Sequence, residues 1–440
     1  MQKVIKRLHK ASSKYIMAKQ EDEMSATVKD KRLLGINGMG RIGKLTLWNF
    51  LHQRHFDGIV VNMGREVGKS VDDLVQVMET DSTYGSLGRF LYGYSKKCEI
   101  RLLEESTNLL FDVDGMMVKV LREARNPKDI SWRREGVRLV IDTTGQFLDP
   151  TVPADQKNGS LRGHLEGGAE KVIASAPFKI KDKSLKTPDD STCLINGINH
   201  TSFDPARHHV ISAASCTTTG LAHLIKPLLE TRETSQILTA SMSTIHAATN
   251  TQNVLDAPPK TSATDLRKNR SIMNNIILST TGSAKALEQV LPEIKQVGFM
   301  ADSVRIPTST VSLIILNITF HTPLDATGQP VVSQHFLNDV YRKAAEGSQK
   351  GLLLFSERQN VSTDILGVRA AVVVEGHENH ARTGFVTIPP ETLAVAGVKT
   401  DKEVQIPVTH AKLFGWYDNE FGSYVNCLGE LAIYIDKNMR

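Results

Sequence analysis

The segment Arg32-Leu33-Leu34-Gly35-Ile36-Asn37-Gly38-Met39-Gly40-Arg41-Ile42-Gly43-Lys44-Leu45-Thr46-Leu47 decides the fold of this chain. An apolar run leads into a glycine-rich turn and an amphipathic stretch, which together predict a strand, a tight turn and a helix. The turn contains the spacing Gly38-x-Gly40-x-x-Gly43. In that spacing the first glycine permits the turn, the second admits a pyrophosphate at the helix N-terminus, and the third lets helix and strand pack closely. The segment therefore predicts a dinucleotide-binding turn.

Three later apolar runs predict the neighbouring strands of the same sheet. They are Ile59-Val60-Val61, Leu139-Val140-Ile141 and Lys171-Val172-Ile173-Ala174. The second run ends in Asp142-Thr143-Thr144-Gly145, another short polar turn with a glycine. Strands alternating with helical segments favour an α/β fold with a doubly wound parallel sheet, the Rossmann arrangement.

The end of the second strand leaves the choice of cofactor open. A carboxylate is expected there to hold the adenosine ribose, but the chain reads Val61-Asn62-Met63-Gly64-Arg65-Glu66. Arg65 is suited to pairing with the 2′-phosphate of NADP. Alternatively, Arg65 faces solvent while Glu66 or backbone groups hold NAD. Either NAD or NADP fits the sequence.

Composition and charge indicate a soluble globular protein. The chain has 440 residues, of which 40% are hydrophobic and 23% charged, and a net charge of only +5. No apolar run is long enough for a membrane span, and no secretory signal is visible, so neither a membrane nor a nucleic-acid partner is expected. Four cysteines without CxxC spacing favour a reducing compartment, here the cytoplasm, and no metal site. We interpret the basic residues 1–30 as a solvated extension, although a transit peptide or an anionic-surface helix would share this pattern.

The run Ala214-Ser215-Cys216-Thr217-Thr218-Thr219-Gly220 predicts a nucleophilic cysteine at the start of a helix. The apolar spacing from Leu221 to Leu229 indicates the helix, and Ser215 stands where an N-cap hydroxyl is expected. Free backbone N–H groups and the helix dipole at such a position favour a thiolate and also offer donors to an oxyanion. A buried cysteine with no chemical role is the alternative.

A base for that cysteine and two anion-binding segments follow it. His246 ends a predicted strand, Ala240 to Ala247, at a polar turn, where it is suited to general-base catalysis. Ser279-Thr280-Thr281-Gly282-Ser283 is a hydroxyl-rich turn that opens a helix, and Arg305 enters the alternating strand Val311 to Phe320. Hydroxyls, a helix N-terminus and a guanidinium favour phosphate binding.

Taken in order, these segments resemble the phosphorylating glyceraldehyde-3-phosphate dehydrogenases. The resemblance spans residues 31 to about 435 and includes motifs beyond those above: Asp81-Ser82-Thr83-Tyr84-Gly85, Ser175-Ala176-Pro177, Thr244-x-His246-Ala247, Arg305-x-Pro307-Thr308 and Trp416-Tyr417-Asp418-Asn419-Glu420. It implies a Rossmann nucleotide-binding domain, residues 31–215 and 419–440, and an α+β catalytic domain with a mostly antiparallel sheet, residues 216–418. It also implies a homotetramer acting in glycolysis or gluconeogenesis.

By this resemblance Cys216 attacks the aldehyde of glyceraldehyde 3-phosphate and His246 acts as the base. The phosphate of the substrate would be bound by Thr249, Thr251 and Arg305. Inorganic phosphate would be bound by Ser215, Thr217, Thr281 and Gly282, with Lys268 in place of the usual arginine. The cofactor would be held by Gly38, Gly40, Arg41, Ile42, Gly43, Arg65, Arg125, Thr144, Gly145, Ser175 and Asn419.

Several departures from the family pattern leave alternatives open. Ser423 precedes Tyr424, and about 20 extra residues lie between Gly367 and Phe414. An erythrose-4-phosphate dehydrogenase, whose thioester is released to water, is the nearest alternative, but that family tends to alter the positions of Thr249 and Thr281-Gly282. A non-catalytic binding protein on the same scaffold is the other, and the presence of both Cys216 and His246 argues against it.

Overall fold

The computed structural model describes residues 31–259, 261 and 263–439. The basic extension, residues 1–30, lies outside them. The described residues form two compact units. The first unit consists of the described residues up to Thr80, Ser86–Ile173 and Ile180–Leu185. The second unit consists of Asp81–Gly85, Ala174–Lys179 and the described residues from Lys186 onwards. The domain boundaries expected from the sequence stay a prediction. None of the helices described is both long and apolar enough to cross a membrane.

In chain order the helices are α1 Arg41–Gln53, α2 Val71–Glu79, α3 Leu87–Tyr92, α4 Gly163–Glu166, α5 Cys216–Glu230, α6 Ser283–Val290, α7 Gln334–Glu346, α8 Pro390–Val395 and α9 Asn426–Asn438. The strands are β1 Leu33–Asn37, β2 Gly58–Asn62, β3 Thr80–Asp81, β4 Gly85–Ser86, β5 Ile100–Glu105, β6 Leu109–Val113, β7 Met116–Leu121, β8 Val137–Asp142, β9 Lys171–Ala174, β10 Ser191–Cys193, β11 Val210–Ser212, β12 Ile237–Ala247, β13 Ile277–Thr280, β14 Gly298–Ile306, β15 Ser312–His321, β16 Leu353–Ser356, β17 Val372–Glu375, β18 His380–Ile388 and β19 Val404–Tyr417.

The first unit contains a sheet with the strand order β9-β8-β1-β2-β7-β6-β5. Its centre, β8-β1-β2-β7, is parallel, and β5 and β6 add an antiparallel edge. All five residues of β2 are buried, because both faces of a central parallel strand are covered. The predicted Rossmann sheet is confirmed, and the carboxyl ends of β1, β2 and β8 meet at one edge.

The second unit is built on a sheet with the order β13-β14-β12-β15-β19-β17-β16, and β18 also pairs with β19. Only the pairs β12–β14 and β16–β17 are parallel, so the predicted, mostly antiparallel sheet is confirmed. Alternate residues of β15 are buried, as expected for a strand with one covered face. Helix α5 covers that face: Leu221, Leu224 and Leu228 share a core cluster with Ile314 and Leu413.

A hairpin arm, which we define as residues 384–407, lies within the segment Gly367 to Phe414, where the sequence predicts about 20 extra residues. In the arm, β18 and β19 pair from Phe385↔Pro407 to Ile388↔Val404, and α8 lies at the tip. Strand β15 ends its pairing with β19 at His321↔Val408, so the arm extends beyond the main sheet. Phe385, Val386 and Val395 on the arm are exposed.

Candidate active site

Cys216 is the first residue of α5, as the sequence predicted. Ser215 is the N-cap, with extended backbone, and its Oγ accepts a hydrogen bond from the Thr218 N–H at 3.2 Å. The preceding residue, Ala214, has φ +55°, a left-handed conformation that side chains other than glycine seldom adopt. This sharp turn leads from β11 into the helix and places the thiol at the helix N-terminus.

His246 lies one residue before the end of β12 and faces the thiol. Its Nε2 is 3.6 Å from Cys216 Sγ. The imidazole is buried, and the Tyr417 ring stands edge-on to it with the centroids 6.0 Å apart. The structure thus brings together the predicted nucleophile and base at a distance that permits proton transfer between them.

Arg305 is the third member of this cluster. It lies inside β14, where it is the direct parallel partner of His246 on β12, and not at the entry to β15 as the sequence suggested. Its Nη1 is 2.6 Å from His246 Nδ1 and donates to the Ala247 carbonyl at 3.1 Å. The side chain therefore touches the base directly, a contact that the sequence did not reveal.

Burial controls the ionisation of the pair. Desolvation raises the pKa of the Cys216 thiol, although the Arg305 charge and hydrogen bonding with Thr217 oppose it. Desolvation, with help from the Arg305 charge, lowers the pKa of His246 to about 3. Burial therefore opposes charge on either member of the pair, whereas the Arg305 charge and the hydrogen bonds at the helix start favour the thiolate. The thiolate expected from the sequence stays a prediction.

The Tyr417 hydroxyl joins the elements that carry the cysteine and the histidine. It lies 2.9 Å from Thr217 Oγ1 on α5 and 2.7 Å from Thr244 Oγ1 on β12. Tyr417 is fully buried, which raises the pKa of its phenol. The sequence analysis named Tyr417 within a motif but gave it no role, although a tyrosine at the end of a long strand was a usable signal.

Asp418 organises the loop that carries Asn419. Its carboxylate accepts hydrogen bonds from the Tyr84 hydroxyl at 2.6 Å and from the Gly367 and Gly422 N–H groups at 2.8 and 3.1 Å. The Asn419 Oδ1 accepts from Ser312 Oγ at 3.0 Å. The predicted cofactor residue Asn419 is therefore held in one amide orientation, while Ser175 follows β9 in a half-buried loop.

The candidate phosphate-binding residues occupy separate turns of the second unit. Thr249 and Thr251 follow β12, with their hydroxyls 2.9 Å apart. Thr281 and Gly282 form the turn between β13 and α6, where Gly282 is an N-cap without a capping side chain. Lys268 lies in an exposed single turn, Leu266–Asn269. Within the described ranges, no hydrogen bond links these turns to Cys216.

A groove of about 250 Å³ opens at the carboxyl ends of β1, β2 and β8 in the first unit. Gly38 there has φ +101°, and a Cβ on Gly43 would lie 2.2 Å from the Gly38 carbonyl oxygen, so both positions need glycine. A Cβ on Gly40 would meet nothing within 4 Å, which leaves space beside the N-terminus of α1. The residues from Gly38 to Gly43, including Arg41 and Ile42, therefore fit a dinucleotide pyrophosphate.

The same groove contains three of the other predicted cofactor residues, Arg65, Arg125 and Thr144. Its nine lining residues are Asn37, Gly38, Asn62, Met63, Arg65, Arg125, Thr144, Gln146 and Phe147. Gly145, beside Thr144, has φ +65°. The Arg125 Nε donates to the Gly64 carbonyl at 3.1 Å, which fixes that guanidinium at the rim.

A buried polar chain beneath the groove was not foreseen. Asp142 Oδ2 accepts from Asn37 Nδ2 at 2.8 Å and contacts His164 Nε2 at 3.0 Å. Asn62 Nδ2 donates to Asn37 Oδ1 at 2.8 Å, and Trp132 Nε1 donates to His164 Nδ1 at 3.0 Å. These hydrogen bonds connect the carboxyl ends of the three strands that form the groove. The sequence signal of this polar chain was an asparagine or aspartate closing each strand.

Comparison with known proteins agrees with this geometry. The family model described as "Glyceraldehyde 3-phosphate dehydrogenase, NAD binding domain" matches residues 32–150, and the one described as "Glyceraldehyde 3-phosphate dehydrogenase, C-terminal domain" matches residues 215–388. Glyceraldehyde-3-phosphate dehydrogenase of Streptomyces coelicolor is 34% identical over 92% of this chain and 99% of its own length. Glyceraldehyde-3-phosphate dehydrogenase of Geobacillus stearothermophilus is 32% identical over 91% of this chain and 97% of its own length. Glyceraldehyde-3-phosphate dehydrogenase 2 of Caenorhabditis elegans is 32% identical over 92% of this chain and 98% of its own length.

The two family models cover the groove of the first unit and the Cys216–His246 pair of the second. The relatives are matched over nearly their whole length. The resemblance inferred from sequence motifs is confirmed: the chain belongs to the glyceraldehyde-3-phosphate dehydrogenase family of oxidoreductases and has that family's NAD-binding domain.

Proposed function

We propose that the chain oxidises glyceraldehyde 3-phosphate with inorganic phosphate and a nicotinamide cofactor, giving 1,3-bisphosphoglycerate. The observation that carries this proposal is the approach of Cys216 Sγ to His246 Nε2, 3.6 Å, at the start of a helix. A thiol beside a base can add covalently to an aldehyde carbonyl, and the helix N-terminus offers N–H groups to the resulting oxyanion.

In the first step the Cys216 sulfur bonds to the aldehyde carbon, and the thiol proton passes to His246 Nε2, which delivers it to the former carbonyl oxygen and so gives a thiohemiacetal. The neutral His246 then takes the proton of the thiohemiacetal hydroxyl as the carbon loses a hydride, which leaves a thioester on Cys216. The bound cofactor supplies the hydride acceptor. A phosphate oxygen attacks the thioester carbon and the Cys216 thiolate departs, so the acyl group leaves as an acyl phosphate.

The phosphate-binding turns support a phosphorylated substrate and a phosphate co-substrate. Arg305, Thr249 and Thr251 offer a guanidinium and two hydroxyls, the usual partners of a phosphate ester. Ser215, Thr217, Thr281, Gly282 and Lys268 are the proposed group for the attacking phosphate. Lys268 keeps the charge of the arginine that the resemblance leads us to expect but lacks its two-pronged geometry, so we expect a weaker site for inorganic phosphate.

We propose NADP as the preferred cofactor. The groove is lined by Arg65 and Arg125, and none of its nine lining residues, all within the part of the chain that the structure describes, carries a carboxylate. A carboxylate after β2 would repel a 2′-phosphate, whereas Met63 is neutral and Arg65 is suited to binding it. Met63→Asp should shift the ratio of kcat/KM values towards NAD, and Arg65→Ala should raise the KM for NADP alone. Equal kcat/KM values for both cofactors in the wild type would contradict the preference.

We also propose a homotetramer in the cytoplasm. The assembly is implied by the family resemblance, and it agrees with the exposed apolar side chains of Val254, Leu255, Ile276 and Leu278, which a second copy would cover. Sedimentation velocity tests the assembly, and a monomer at micromolar concentration would contradict it.

The decisive experiment is turnover of glyceraldehyde 3-phosphate, followed by absorbance of the reduced cofactor, with phosphate present or omitted. Turnover that requires phosphate supports the proposal, while phosphate-independent turnover points to hydrolysis, as in erythrose-4-phosphate dehydrogenases. Cys216→Ser should abolish turnover. Cys193→Ser, at another half-buried cysteine, is the matched control and should leave it unchanged. No turnover with any cofactor would favour a binding protein on this scaffold.

A further inference from the structure

Ser312 is a buried serine whose hydroxyl joins two parts of the candidate active site. It is the first residue of β15 and is only 1% exposed. Its Oγ accepts a hydrogen bond from the Ala247 N–H at 3.1 Å and donates to Asn419 Oδ1 at 3.0 Å. Ala247 ends β12 directly after His246. One hydroxyl therefore connects the strand of the proposed base with a proposed cofactor residue.

These two contacts set the direction in which the Asn419 amide faces. A serine hydroxyl has one proton to donate, and its lone pairs accept from other donors. Because the Ala247 N–H uses a lone pair of Ser312 Oγ, the hydroxyl proton stays available for the carbonyl oxygen of the Asn419 side chain. With Oδ1 held in this way, the other end of the amide, Nδ2, is directed away from Ser312.

The neighbouring Thr310 hydroxyl does not replace Ser312 in this role. Thr310 Oγ1 lies 3.5 Å from Asn419 Oδ1, beyond the usual range of O–H···O hydrogen bonds. The same hydroxyl lies 3.1 Å from Asp418 Oδ1, and because a carboxylate can only accept, the single Thr310 proton is used there. Ser312 is therefore the donor that orients the Asn419 amide.

The Asn419 amide nitrogen remains as a donor for a ligand. Within the described part of the chain, Asn419 Nδ2 makes no hydrogen bond. This nitrogen is not enclosed, although the residue as a whole is only 4% exposed. An amide nitrogen donates and cannot accept, so its complement on a ligand is an acceptor such as a carbonyl oxygen. The nicotinamide ring of the cofactor carries such an oxygen on its carboxamide.

We propose that Ser312 is a positioning residue that keeps Asn419 Nδ2 presented as a donor to the carboxamide oxygen of the nicotinamide ring. Because Ser312 also holds the Ala247 N–H, the same hydroxyl couples the position of this amide to that of β12, which carries His246. Ser312 acts through these two neighbours and not by contact with the cofactor. The inference rests on the proposed role of Asn419 in cofactor binding, and not on the proposed phosphorylating reaction.

The test compares the Kd values of two ligands, measured by isothermal titration calorimetry on the cofactor-free protein. One ligand is the tighter-binding of NAD and NADP, and the other is the ADP-ribose part of that cofactor, which lacks the nicotinamide ring. Ser312→Ala should weaken cofactor binding about fivefold, the effect of one lost hydrogen bond, and leave the Kd of the ADP-ribose ligand within about twofold. Ser312→Thr keeps the hydroxyl and should bind both ligands as the wild type does. Ser303→Ala, at a buried serine of β14 whose Oγ has no partner among the described residues, is the matched control and should change neither Kd.

A third ligand tests the direction of the Asn419 amide in the wild type alone. The 3-acetylpyridine analogue of the cofactor keeps the carbonyl oxygen but lacks the amide NH₂, so it should bind within about threefold of the cofactor itself. A larger loss would show that Asn419 accepts from the carboxamide and would overturn the proposal. Equal weakening of both ligands in Ser312→Ala, as expected of a serine that only supports the fold, or no weakening of either, would overturn it as well. All readouts are binding constants, so the expected pattern without turnover would reject the proposed reaction alone, and turnover without that pattern would reject this inference alone.

Discussion

The Tyr417 hydroxyl lies within hydrogen-bonding distance of a side chain on α5 and of one on β12. Tyr417→Phe should lower the free energy of unfolding by about 1–2 kcal/mol, because the Thr217 and Thr244 hydroxyls lose a buried partner. Urea unfolding measures the change. Tyr434→Phe, at a half-buried tyrosine on α9, is the control and should cost less than about 0.5 kcal/mol. A loss below about 0.5 kcal/mol in Tyr417→Phe as well would show that the Tyr417 hydroxyl contributes little to stability.

His223 should make stability dependent on pH. It is fully buried in α5, its Nε2 donates to the Asn196 carbonyl at 3.0 Å, and burial lowers its pKa to about 4. In the unfolded chain His223 binds a proton below about pH 6.5, whereas in the folded chain it stays neutral down to about pH 4. The free energy of unfolding is therefore unaffected by this histidine above about pH 6.5 and decreases as the pH falls from about 6.5 to about 4. Between pH 7 and pH 5 the loss is about 2 kcal/mol.

Between pH 7 and pH 5 the free energy of unfolding of His223→Gln should therefore fall by about 2 kcal/mol less than that of the wild type. The measurement is urea unfolding at pH 7 and pH 5. His335→Gln, at an exposed histidine of α7, should keep the wild-type dependence. If both variants behave alike, other groups cause the pH dependence.

At the scale of the element, Ser215 has two separable roles. As the N-cap of α5 it should contribute about 1 kcal/mol, and so should Ser333, which caps α7 by accepting from Phe336 N–H at 3.1 Å. Ser215→Ala and Ser333→Ala should lower unfolding free energies by similar amounts. Only Ser215→Ala should also raise the KM for inorganic phosphate, because only Ser215 belongs to the proposed phosphate group. An unchanged KM in Ser215→Ala would remove it from that group.

The turn between β1 and α1 distinguishes a glycine needed for folding from one needed for binding. Gly43→Ala should destabilise the chain by about 1–3 kcal/mol, since its Cβ would meet the Gly38 backbone oxygen at 2.2 Å. Gly40→Ala meets nothing within 4 Å and should leave stability within about 0.5 kcal/mol. Gly40→Ala should instead weaken cofactor binding about tenfold or more, because its Cβ would occupy space needed by the pyrophosphate. Unfolding and cofactor titration by fluorescence give the two readouts.

At the scale of the whole molecule, what could be read from the sequence follows from local patterns. The Gly38-x-Gly40-x-x-Gly43 turn, the apolar runs of β2, β8 and β9, and the capped start of α5 each need only neighbouring residues to be recognised. The parallel sheet was predicted for that reason, whereas the mostly antiparallel sheet was implied by the family resemblance. The positions of Cys216 and His246 at element ends were predictable in the same way.

What the sequence did not reveal depends on contacts between distant segments. Arg305 and His246, which are 59 positions apart in the sequence, come into contact because β12 and β14 are paired in parallel. Asp142 and His164 likewise come into contact only through tertiary packing. The burial of Cys216 is hidden in the sequence for a related reason: a helix start is visible in a sequence, but the desolvation that raises the pKa of this thiol arises only after folding.

The hairpin arm, residues 384–407, should be dispensable for folding of the rest of the second unit. Strand β19 keeps its ten partners on β15, Ser312 to His321, without the arm, and the apolar arm residues Phe385, Val386 and Val395 are exposed and so contribute little buried area. A chain in which a two-residue Asn-Gly turn replaces residues 385–406 should unfold within about 1 kcal/mol of the wild type. It should also show the same pH profile of Cys216 alkylation by iodoacetamide as the wild type. A larger loss of stability, or a changed profile, would mean that the arm supports the sheet that carries His246 and Arg305; unchanged values accompanied by a smaller sedimentation coefficient would instead assign the arm to assembly.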